Sequence, residues 1–234
     1  MVPNHKNLIK KVKKLDGRDG CVMPEVMLRG PAGRIEGRYY PSKERGGAPV
    51  ALVLHPNPEH GGDMNHKVTY LLYRAFTELG FSVLRFNFRG VGRSEGASGD
   101  GELNDASACL NWLCAHNPNA SNCFVAGYSF GAWIGMQLLM RRPEIRRFIS
   151  VSPPANLYDF SFLAPCPTPG FVIQGGQDSL VPKESVSRLV NRLNLQKSTN
   201  ITLKVLRGAD HSFTDNLKEM YEAAKRYIQD NIDA

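Results

Sequence analysis

The chain has 234 residues, 42% of them hydrophobic and 22% charged. This is the length and composition of one globular α/β domain with a short appendage, and it excludes collagen-like, coiled-coil and wholly disordered chains. The formal net charge is +7, and more than half of the excess lies in residues 1–22, where Lys6, Lys10, Lys11, Lys13, Lys14 and Arg18 stand against only Asp16 and Asp19.

Residues 1–22 are therefore expected to form a basic leader, a solvated disordered tail or an extension ahead of an internal start at Met23, with residues 23–234 as a single domain. A nucleic-acid reader carries its basic surface on the folded domain, so no nucleic-acid partner is expected. No apolar run reaches membrane-spanning length, and the leader lacks the apolar stretch of a signal peptide. The cysteines are Cys21, Cys109, Cys114, Cys123 and Cys166. Their odd count without metal-type spacing predicts reduced thiols and a cytoplasmic location.

Strand and helix signals then alternate. Glu25–Arg29 and Arg34–Tyr40 flank the turn signal Gly30-Pro31-Ala32-Gly33 and predict an antiparallel hairpin. Pro49–Leu54 is a continuous apolar run, the mark of a strand buried on both faces. A polar loop, His55–Asp63, follows. Apolar residues at helical spacing predict a helix from Asn65 to Leu79, ended by Gly80. Phe81–Phe88 reads as a strand and Gly90–Gly101 as a long glycine-rich loop. Gly90 and Gly92 resemble part of a nucleotide fingerprint, but Glu95 occupies the third glycine position. The better reading is a surface loop held by Arg89 and Arg93. A helix over Leu103–Leu113, a strand at Cys123–Ala126 and a helix at Ala132–Met140 come next. Strands at Arg147–Val151 and Gly170–Ile173, a helix at Val186–Leu193, a strand at Ile201–Leu206 and a final amphipathic helix at Leu217–Ile228 complete the chain. This rhythm predicts a mostly parallel sheet with helices on both faces, whose chemistry sits at the carboxyl ends of the strands.

Gly127-Tyr128-Ser129-Phe130-Gly131 is a G-x-S-x-G between a predicted strand and a predicted helix, the setting of a nucleophile elbow. A hydroxyl needs a base, and the base needs an acid to orient it. His211 is the only histidine beyond residue 129. Asp178 follows a Gly-Gly turn at a strand end and is favoured as the acid. Asp210 competes, but adjacent residues rarely face one another, so it is read as a cap or a solvated carboxylate. The oxyanion of acyl transfer needs backbone N–H donors. Phe130 supplies one. In the loop after Leu54, Pro56 and Pro58 have none, so the second is another residue, and Asn57, held between the two prolines, is the natural choice. His55, His60 and His66 lack a metal-ligand spacing, and no metal site is expected.

The segments HPNPEHGG, RFNFRGVGRSEG, VAGYSFGAWIGMQLL, GGQD and GADHSF resemble the α/β-hydrolase superfamily over residues 25–232. Within it they look like the small lidless bacterial branch related to dienelactone hydrolases and short-chain esterases. The resemblance implies an eight-stranded, mostly parallel sheet, a triad of Ser129, His211 and Asp178, oxyanion donors at Asn57 and Phe130, and no cofactor. The chain departs from dienelactone hydrolases in carrying serine where they carry cysteine, and it has His55-Pro56 where the family motif is His-Gly. Ser152–Thr168, with Pro153, Pro154, Pro165 and Pro167, is too short for a lid domain. Phe160, Phe162 and Leu163 there either line an acyl pocket or pack over the sheet edge. The expected activity is hydrolysis of a small-molecule carboxylic ester or thioester. The rival readings are a peptidase or amidase, an acyltransferase of the same fold, and a catalytically silent scaffold.

Overall fold

In the sheet, the strand order departs from the chain order once, where β4 lies outside β3: β1-β2-β4-β3-β5-β6-β7-β8. The computed structural model describes residues 24–43, 47–163, 165–195 and 200–233; the basic leader at 1–22 lies outside them. The strands are β1 (Glu25–Gly30), β2 (Gly33–Tyr40), β3 (Val50–Leu54), β4 (Ser82–Phe86), β5 (Cys123–Tyr128), β6 (Arg147–Val151), β7 (Gly170–Gly175) and β8 (Ile201–Leu206). Strand β2 runs antiparallel to both β1 and β4, and every other pairing is parallel. The eight strands and the antiparallel hairpin agree with the sequence expectation.

The helices are α1 (Lys67–Glu78), α2 (Glu102–His116), α3 (Phe130–Leu139), α4 (Lys183–Asn194) and α5 (Leu217–Asp230). The alternation of side chains along β3 explains why its whole run is apolar. Val50, Leu52 and Leu54 enter the core shared with α2, α3 and α4, while Ala51 and Val53 enter the core shared with α1 and α5. A strand covered on both faces has no solvent side on which a polar residue could sit. None of the described helices is long and apolar enough to cross a membrane.

Several boundaries differ from the sequence reading, and two of the differences have a clear cause. Strand β4 stops at Phe86 because the next residues are bonded elsewhere. The Asn87 side chain donates to Glu36 Oε2 (2.9 Å) and accepts from the Met64 N–H (2.9 Å), and the Phe88 N–H donates to His55 (2.9 Å). Helix α3 begins at Phe130, directly after Ser129, so the serine itself occupies the cap position.

The glycine-rich loop is held as expected. Arg89 clamps buried Asp105 through Nε–Oδ2 (2.9 Å) and Nη2–Oδ1 (2.7 Å), and the Arg93 side chain pairs with Glu25. Between β6 and β7 the described residues contain one short 3-10 turn, Ser161–Leu163. Phe160 and Leu163 are buried in the α2–α4 core, with Phe162 packed against it. Leu163 therefore follows the edge-packing alternative rather than the acyl-pocket one.

Candidate active site

Ser129 sits at the turn from β5 into α3 with φ 52° and ψ −118°, a left-handed conformation that an L side chain adopts only under strain. The flanking glycines make that turn possible. A Cβ at Gly127 would run into the carbonyl of Gly131, and one at Gly131 would lie 2.5 Å from the carbonyl oxygens of both Leu54 and His55. The second clash shows how closely the end of β3 approaches the start of α3. The Ser129 N–H donates to Val151 O on β6 (2.8 Å), which ties the turn to the sheet.

The loops after β7 and β8 are joined to each other. The Gly176 N–H donates to Leu206 O (2.8 Å) and the Gln177 N–H to Ala209 O (2.9 Å). A Cβ at Gly175 would meet Ala209 O at 2.6 Å, so only glycine allows this approach. The result brings Asp178 to His211: Nδ1 lies 2.7 Å from Asp178 Oδ2, and Nε2 lies 3.1 Å from Ser129 Oγ. The carboxylate can only accept, so Nδ1 carries the proton and Nε2 offers its lone pair to the serine. Asp210 turns away and caps its own turn, accepting from the Thr214 N–H (2.8 Å) and the Thr214 hydroxyl (2.6 Å).

The side chain of Asp178 is fully buried, and its carboxylate is saturated with donors. Oδ1 accepts from the N–H groups of Leu180 (3.0 Å) and Val181 (2.8 Å), and Oδ2 accepts from His211 and from Gln174 Nε2 (3.0 Å). Gln174 was not singled out from sequence; its signal is its place on β7 four residues before the acid. Its Nε2 also donates to Val181 O (2.8 Å), while its Oε1 has no partner among the described residues. Gln174→Leu removes a bond to a charged group, a loss of about 1.5–3 kcal/mol, but it also removes the unpaired Oε1. The expected net result is a loss of about 1–2 kcal/mol of stability, read as a lower urea midpoint with unchanged slope.

The β3–α1 loop holds the other expected donor. Asn57 O accepts from the Gly62 N–H (3.0 Å), and Asn57 Oδ1 accepts from the Glu59 N–H (2.9 Å). The N–H groups of Asn57 and Phe130 donate to nothing among the described residues, which leaves both free for a ligand. Tyr158 packs beside Phe130: its ring lies 5.9 Å from that of Phe130 and 4.4 Å from that of Trp133. No periodic signal marks Tyr158, because its partners lie on distant segments.

The three histidines near this loop have separate places. His55 is fully buried; its Nε2 accepts the Phe88 N–H and its Nδ1 donates to Pro56 O (2.7 Å). His66 caps α1 through Nδ1 and stacks on Tyr128 at 4.9 Å. Among the described residues, no group of three or more His, Cys, Asp or Glu side chains is arranged to hold a metal ion.

Burial pushes the His55 imidazole down to about 4, against a weaker opposing effect of its bond to Pro56. The unfolded chain takes up this proton near pH 6.5, the folded chain only near 4. The stability His55 contributes is complete above pH 6.5 and is lost as the pH falls toward 4, by about 3 kcal/mol. His66 is lowered in the same direction, first by burial and then by Lys67 and His211. The urea midpoint is expected to drop between pH 7 and pH 5. His55→Gln, which can still accept from Phe88 and donate to Pro56, should flatten that slope.

Residues 49–169 match the family model described as the α/β hydrolase fold. The chain is 51% identical to an uncharacterized protein of Rickettsia prowazekii over 88% of this chain and 89% of the relative. It also superimposes on a protein of unknown function from Agrobacterium tumefaciens, considered for the α/β hydrolases, with TM-score 0.86 and 51% identity over 89% of this chain and 96% of the other. A serine hydrolase without a lid from Xanthomonas campestris gives TM-score 0.80 at 31% identity, over 92% of this chain and 97% of that one.

Proposed function

This chain belongs to the α/β-hydrolase fold family, and from that premise we propose that it is a serine hydrolase cleaving carboxylic esters or thioesters through an acyl-enzyme on Ser129. The observation that carries the reading is the hydrogen-bonded line Ser129 Oγ–His211 Nε2 (3.1 Å) and His211 Nδ1–Asp178 Oδ2 (2.7 Å), starting from a serine held in a left-handed turn. Similarity to the lidless serine hydrolase of Xanthomonas campestris supports it.

In the proposed reaction His211 Nε2 takes the Ser129 hydroxyl proton as Oγ bonds the acyl carbon. The carbonyl oxygen becomes an oxyanion and is met by the N–H groups of Asn57 and Phe130. Collapse breaks the C–O or C–S bond, and the leaving group takes the proton back from Nε2. Water then attacks the acyl-enzyme, giving its proton to His211, and the freed acid departs as Ser129 regains its hydrogen. Asp178 stays ionised throughout; it fixes the ring and stabilises the imidazolium.

The test is fluorophosphonate labelling of the purified protein beside hydrolysis of p-nitrophenyl acetate, butyrate and octanoate. Labelling and turnover are expected, with the chain-length profile sizing the acyl site. A folded protein that neither labels nor hydrolyses any of the three would sink the reading and leave a silent scaffold.

A further inference from the structure

Apart from the serine, histidine and aspartate, the segment after β6 and helix α4 border an open cleft of about 420 Å³, with Arg188 and Arg192 exposed at its mouth. That is within the range of small-molecule sites. Its composition is that of an amphiphile's binding site. Phe160 and Leu189, both nearly fully buried, give it an apolar wall. Arg188 and Arg192, one turn apart on α4, supply two guanidinium groups. Arg192 donates one bond, to Phe160 O (3.2 Å), and Arg188 donates to nothing among the described residues.

The one carboxylate in the lining, Asp159, is already engaged. It accepts from the Ser161 N–H (2.8 Å) and the Ser161 hydroxyl (2.6 Å); it feels the Arg192 charge but makes no direct ion pair with either arginine among the described residues. The nearby Glu184 is paired with Lys183. The cavity therefore presents unspent guanidinium donors next to buried hydrocarbon. A guanidinium meets planar or tetrahedral oxyanions with paired N–H bonds, which suits carboxylate and phosphate alike.

Two struts connect the cavity to the reactive groups. Tyr158 lines it while packing on Phe130, the residue after Ser129. Asn156 also lines it and donates to Leu180 O (3.0 Å), and the Leu180 N–H holds Asp178 Oδ1.

We propose that this cavity is a substrate subsite that takes an anionic end group, a carboxylate or a phosphate, carried on a short apolar stem. Its link to a substrate rests on the serine-hydrolase reading above; its binding chemistry does not. The ester substrates favoured by this protein then end in an anion seated against Arg188 and Arg192, with the stem along Phe160 and Leu189.

The experiment has a binding arm and a catalytic arm. Isothermal titration of Ser129→Ala protein uses hexanoate, hexyl phosphate and neutral hexanol as probes. At least one anion is expected to bind, about tenfold weaker when Arg188→Ala is added and weaker still with Arg188→Glu. The anion that binds more tightly identifies the end group. Hexanol binding as well as the anions, or anion binding indifferent to Arg188, overturns the subsite. In the catalytic arm the same anions should compete with p-nitrophenyl butyrate in wild-type protein and lose that competition in Arg188→Ala. Arginine-dependent binding in a protein that hydrolyses no ester would uphold the subsite and overturn the functional reading. Hydrolysis without arginine-dependent binding would do the reverse.

Discussion

Ser129→Ala is expected to lose ester hydrolysis by about 10⁶-fold, the scale on which removing such a nucleophile acts. That corresponds to about 8 kcal/mol of barrier. What remains would come from the unpaired N–H groups of Asn57 and Phe130 acting on a substrate attacked directly by water. The loss is chemical rather than structural. Alanine keeps the backbone of the elbow, and among the described residues the Ser129 side chain makes one bond, to His211. The circular dichroism spectrum and urea midpoint should therefore stay close to wild type while p-nitrophenyl butyrate turnover disappears. Ser129→Gly sharpens the comparison. With φ at 52°, a residue without Cβ relieves the strain of the turn, so the glycine variant should be equally inactive yet more stable by about 1 kcal/mol. Turnover retained in either variant would remove Ser129 from the mechanism.

Asp178→Asn is expected to lower kcat by about 10⁴-fold at neutral pH. The effect follows from the count of donors. Four N–H groups converge on the Asp178 carboxylate, two at each oxygen. Asparagine has only one oxygen. If that oxygen keeps the Leu180 and Val181 bonds, its amide nitrogen faces two further donors, Gln174 Nε2 and His211 Nδ1. The imidazole resolves the conflict by moving its proton from Nδ1 to Nε2, and a protonated Nε2 cannot receive the proton of Ser129. Gln174 cannot relieve the clash by rotating without giving up its bond to Val181 O. A loss of about 1–3 kcal/mol of stability should accompany the loss of rate. Steady-state kinetics at pH 7 with a parallel urea titration checks both. A variant within tenfold of wild type would mean that Asp178 does not set the tautomer.

The strands and helices were legible because each is written in local periodicity. The unbroken apolar run of β3 and the helical spacing of Val68, Leu72, Ala75 and Phe76 need no knowledge of distant residues. The order Ser129, Asp178, His211 was legible for a related reason: each follows a strand, and a parallel sheet puts such positions at one edge. Contacts between segments were not legible. Nothing near Tyr158 says that its ring will pack against Phe130 and Trp133. Even the four-residue spacing of Gln174 from the acid does not say that its amide turns to Asp178. The same limit explains β4, whose last two expected residues were claimed by Glu36, Met64 and His55. Leu163 was ambiguous because an apolar residue in a loop reads alike whether it faces a ligand or the core. His55 was weighed as a metal ligand and as part of the His-Gly motif position, yet its two nitrogens join the loops after β3 and β4.

Asp178 and His211 follow β7 and β8, the last two strands of the sheet, while Ser129 follows β5 near its middle. Strand β8 has a partner on one side only and leaves Thr202, Lys204 and Val205 in solvent. Edge elements open at lower free energy than central ones. Because the loops after β7 and β8 are bonded together, fraying of β8 draws His211 away from Ser129 and pulls on the loop that carries Asp178. Such opening at the edge would leave β3, β4, β5 and β6 as the template on which the alignment re-forms.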